Sequence, residues 1–98
     1  MTTLTTHKIR RELATLTFTT AHARTVKNDT IAHLLTYERS LSNAEINLSS
    51  LYAVCEYLAW LSKHTQEIDD KRILPSQRIF LADAFAFCTK TYDEQRGI

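Results

Sequence analysis

The chain has 98 residues, a formal net charge of +1 and 44% hydrophobic residues, the length of a single compact domain (residues 1–98). Leu, Ile, Val and Phe make 25 of the 98, which excludes a disordered chain, and the near-neutral balance gives no global argument for nucleic acid. One Gly and one Pro exclude an all-β domain, which needs turn residues every 8–12 positions or so.

The class expected is therefore all-α: an elongated bundle of three or four helices. No apolar segment reaches the roughly 18 residues of a membrane span. The Thr-rich start lacks the apolar core of a secretory signal, so the expected setting is cytoplasmic.

In chain order, Ile9, Leu13 and Leu16 form a one-sided helical stripe continued only by Thr20. Asn28 or Asp29 is a candidate cap for a second helix carrying Ile31, Leu34, Leu35 and Leu41. A single helix over about 5–41 is the alternative. Thr15–Thr20 alternates like a short strand, but a lone strand has nothing to pair with, and helix is preferred there.

The sharpest local signal is Leu41-Ser42-Asn43-Ala44-Glu45-Ile46. Ser42 and Glu45 have the spacing of a capping box, with Leu41 and Ile46 as its hydrophobic staple. This predicts a helix starting within two residues of Asn43 and running to about Ile68. Its apolar arc centres on Leu51, Val54, Cys55, Leu58 and Leu61. Its narrow polar strip is Ser49, Glu56, Lys63 and Glu67, with Tyr52 beside it.

The last helix should start near Pro75, where a missing N–H costs nothing. Leu81, Phe85, Cys88 and Tyr92 form one row, and Phe80, Ala84, Phe87 and Thr91 the next. Ile79, Ala82 and Ala86 lie behind them, small enough for close helix approach. Gln95–Ile98 reads as a frayed tail.

The sequence offers little chemistry. His7, His22, His33 and His64 fall in separate segments, without metal-ligand spacing or a phosphate loop. Cys55 and Cys88 sit among apolar residues and read as buried thiols rather than nucleophiles. No enzyme activity, cofactor or metal is expected.

Two binding classes remain. Lys8, Arg10, Arg11, Arg24 and Lys27 concentrate cations before residue 40 and would be the phosphate contacts of a small nucleic-acid-binding regulator. The preferred reading is a protein-binding regulator or inhibitor, of the type also found among antitoxins and phage- or plasmid-encoded inhibitors of host machinery. Its partner is another protein or a second copy, with a homodimer as one form. Residues 51–61 and 79–88 are apolar on almost every side, as helices buried in a core or an interface are. Tyr57, Trp60, Phe80, Phe85, Phe87 and Tyr92 are the candidate contacts, being the residue types that dominate interface cores.

Overall fold

The computed structural model describes residues 4–42, 45–64 and 75–97, with the backbone only for 75–78. These residues form four helices and no strand: α1 (Thr6–Thr15), α2 (Ala21–Ser40), α3 (Leu48–Lys63) and α4 (Pro75–Arg96). The bundle measures 44 × 31 × 19 Å, with a Cα radius of gyration of 13.3 Å. The helix α3 packs between α2 and α4, and α1 lies against α2.

The described residues 4–41 thus hold two helices, and the break falls at Leu16–Thr20. The Thr5 hydroxyl accepts from Lys8 N–H to cap α1, and the Thr20 hydroxyl accepts from Ala23 N–H to cap α2. Asn28 and Asp29 are exposed in the middle of α2. The preferred helix over residues 15–20 is corrected: Leu16 turns extended, with φ −81° and ψ 138°. The connection then buries Leu16 and Phe18 in the core. Lys27 Nζ donates to the Leu16 carbonyl at 2.8 Å, and Arg10 reaches Glu38 of α2 at 2.9 Å. Both bonds fasten the first helix to the second.

The capping box at Ser42 does not form. Asn43 and Ala44 lie outside the described residues, but Glu45, Ile46 and Asn47 are not helical, and α3 begins at Leu48. Asn47 is the cap, its side-chain oxygen accepting from Ser50 N–H at 3.0 Å. The Ser42 hydroxyl instead donates to the Arg39 carbonyl at 2.9 Å, tying off the end of α2. Two seryl groups thus serve the turn, because the buried Ser40 hydroxyl accepts from Asn47 N–H at 2.9 Å. Asn47→Ala should cost about 1 kcal/mol, whereas Ser42→Ala should be near neutral. Urea unfolding of the two variants checks this, and the opposite order would restore the box.

At its other end α3 stops at Lys63, His64 donating its backbone N–H to the Leu61 carbonyl. Ile68, the expected end, and Glu67 lie outside the described residues. The expected apolar arc of α3 is the buried one: Leu51, Val54, Cys55, Leu58 and Leu61. Ser49, Tyr52, Glu56 and Lys63 are exposed. In α4 the fully buried stripe is Leu81, Ala84 and Cys88, three positions on one side of a 3.6-residue helix. Ile79, Ala82 and Ala86 are exposed rather than packed against a neighbour. Gln95 is not frayed: it lies in α4, half-buried, and its amide nitrogen donates to the Tyr37 hydroxyl at 2.7 Å.

Candidate functional site

With α2 on one side of α3 and α4 on the other, the aromatic residues of α3 fall into two grooves. Tyr57, Trp60 and His64 follow one another at steps of three and four, which places them on one strip of the helix. This strip meets α2, where His22 and His33 lie three helical turns apart.

Trp60 is held from two sides in this groove. The His64 ring stacks on it at 3.9 Å between centroids and 12° between planes. His22 meets it edge-on at 4.9 Å and 81°. His64 Nδ1 lies 2.7 Å from the Trp60 carbonyl oxygen. A carbonyl only accepts, so Nδ1 carries the proton of this bond and the ring orientation is fixed. Further along, His33 lies 5.8 Å from the Tyr57 ring and 3.4 Å, through Nδ1, from the Ser50 hydroxyl. Tyr57, Trp60, His33 and His64 are half-buried and His22 is exposed. Together they form a ledge of ring contacts, with the stacked Trp60–His64 pair fastened by the His64 hydrogen bond.

The α3–α4 groove carries a second aromatic pair. Tyr52 and Tyr92 lie 5.6 Å apart, and the Arg96 guanidinium carbon stands 5.5 Å from the Tyr92 ring centre, within the range of a cation–π contact. Phe85 lies two turns before Tyr92 on the same side. Phe80 and Phe87 each stand five residues from one of these, a rotation of about 140°, and so occupy the other flank of α4. All four pack against the core and are half-buried. The six candidate contacts therefore do not make one surface. Tyr57 and Trp60 share a ledge with three histidines, Tyr92 pairs with Tyr52, and Phe80 and Phe87 stand apart.

The basic residues are dispersed as well. Arg10 is pinned to Glu38 through Nε at 2.9 Å and Nη2 at 3.3 Å, and its Nη2 also lies 3.0 Å from His7 Nδ1. The hydrogen bond and charge of Glu38 raise the Arg10 pKa. Lys27 serves the Leu16 carbonyl, and Arg24 Nε donates to the Thr20 carbonyl at 3.3 Å. Lys8 and Arg11 line a shallow cleft on α1 with Leu4, Glu12 and Thr15. Arg10, Arg24 and Lys27 thus spend hydrogen bonds inside the molecule.

The thiols are poor nucleophiles. Both are free and buried. Burial pushes the Cys88 thiol up to about 12 and raises Cys55 as well, so neither carries a useful thiolate fraction near neutrality. Among the described residues no group of three His, Cys, Asp or Glu side chains could hold a metal ion, and no helix is long and apolar enough to cross a membrane.

His22 and His33 are not legible as ledge residues in the sequence because they come from α2 rather than α3. The 57–60–64 spacing was visible, but the docking of α2 against it was not. No family model matches the chain, and neither curated proteins nor solved structures show a match to it.

Proposed function

We propose that the protein is a small non-enzymatic regulator or inhibitor that binds another protein, and that the α2–α3 ledge around Trp60 is its contact surface. The observation that carries this reading is the stacked Trp60–His64 pair, half-exposed and held by the Trp60 carbonyl. Rigid aromatic anchors lose little conformational entropy on binding and dominate the energetics of interfaces. The inert thiols favour binding over catalysis. The intramolecular use of Arg10, Arg24 and Lys27 favours a protein partner over nucleic acid.

The test is capture by the tagged protein from cells that express it, with and without nuclease and across a salt series. A protein partner should survive nuclease and 0.5 M or similar salt, because phosphate contacts weaken steeply with salt while apolar ones do not. Trp60→Ala should lower its affinity by about 2 kcal/mol, roughly 30-fold, while Phe87→Ala should not. Capture that is lost to nuclease or salt, and kept by Trp60→Ala, would replace this reading with the nucleic-acid one.

A further inference from the structure

The break between α1 and α2 does not interrupt the phase of their buried residues. From Ile9 through Leu13, Leu16, Thr20 and Ala23 to Lys27 the steps alternate four and three residues, and the alternation runs on to Tyr37. All but Thr20 and Lys27 among the six are buried. This is the spacing of a continuous helix with one apolar seam. The break itself, Leu16-Thr17-Phe18-Thr19-Thr20, contains neither Gly nor Pro, so nothing in its backbone chemistry stops a helix. Among the described contacts, three hold it open: the burial of Phe18, 1% exposed, the Lys27 bond to the Leu16 carbonyl, and the Thr20 hydroxyl that caps α2.

We propose that α1 is an exchangeable element: residues 16–20 become helical, α1 and α2 fuse into one helix over residues 6–40, and α1 seats on the core of a second copy. The occupant of the vacated groove is thus the α1 of the partner copy. The exchange keeps the burial of Ile9 and Leu13 and the Arg10–Glu38 pair, now made between copies. Fusion adds helical bonds without a new nucleus, because α2 already supplies the template. Its cost falls on the Lys27 bond, on the Thr20 cap and above all on Phe18. In a continuous helix Phe18 stands about 200° from Leu16, on the side away from the seam, so its ring leaves the core. Phe18 is therefore the latch of the closed monomer. This inference is independent of the Trp60 ledge, which the exchange leaves in place on α2 and α3.

The decisive experiment is sedimentation of Phe18→Ala from micromolar to near-millimolar concentration, beside Thr17→Pro and the double variant. Thr17→Pro meets the closed form at the residue before it, since Leu16 already has the extended conformation required before proline, and no described hydrogen bond uses the Thr17 N–H. It forbids the continuous helix. Phe18→Ala should dimerise with a gain in helical ellipticity, and the double variant should return to monomer. A folded, monomeric Phe18→Ala at the highest concentration, or a dimer that survives Thr17→Pro, would overturn the proposal. If Phe18→Ala does not fold, the unmutated protein and Thr17→Pro are refolded from urea at near-millimolar concentration. A dimer formed only by the unmutated protein supports the exchange, and equal behaviour of the two refutes it.

Discussion

Between pH 10 and 11 the native protein should lose about 1.4 kcal/mol of stability through Cys88 alone. The fold holds this thiol fully buried beside Leu81 and Ala84 in the stripe that faces the core, and burial moves its pKa from 9.0 to about 12. An unfolded chain releases that proton from about pH 9 upward. Above that pH the unfolded state binds fewer protons than the native one, and stability falls as pH rises until the buried thiol itself ionises. The full loss is on the order of 4 kcal/mol by about pH 12, a large part of what a domain of this size has to lose. Burial also raises Cys55 and Tyr37, and both add to the slope in the same direction.

Cys88→Ala isolates the contribution of that one thiol. The variant should be about 1 kcal/mol less stable at pH 7, for the lost sulfur volume. Its stability should then fall less steeply than that of the unmutated protein above pH 9. Urea midpoints across this range check the difference, in which other alkaline groups cancel. Parallel curves would mean that Cys88 reaches water and that the buried stripe of α4 is misassigned.

The helices of this chain were legible where burial decides their faces. In α3 the periodicity of Leu51, Val54, Leu58 and Leu61 needs only a core on one side, and the structure buries that arc. The proline at residue 75 marked the start of α4 for a reason internal to the backbone. Boundaries set by competition between caps were not legible. Ser42 and Asn47 both fit the start of a helix, and the choice fell to Asn47 because Ser40 and Ser42 are drawn to the end of α2. The break at Leu16–Thr20 has the same character. Its residues tolerate helix, and what opens it is mainly tertiary: the room for Phe18 in the core and the reach of Lys27, beside the local cap at Thr20. The site was half legible. Trp60 and Tyr57 stand out by residue type and spacing, but His22 and His33 join them only through the antiparallel docking of α2, which no local pattern encodes.

Leu58→Ala and Phe87→Ala should separate core from flank. Leu58 has no solvent exposure and sits midway along α3, the helix that contacts both α2 and α4. Its truncation removes a buried side chain from the centre of the bundle and leaves a cavity that neither neighbouring helix can close without losing its own packing. The expected cost is about 2–5 kcal/mol, enough to lower the melting temperature by roughly 10 °C or more in a domain of this length. Phe87 packs against the same core from the flank of α4 but is only half-buried. Part of its ring already contacts water, so its truncation should cost about 2 kcal/mol, below the usual value for a fully buried phenylalanine. Calorimetric melting of the two variants gives the comparison. A loss at Phe87 as large as that at Leu58 would place the Phe80–Phe87 row wholly in the core. No loss at Phe87, together with weakened partner capture, would move the binding surface from the Trp60 ledge to this row.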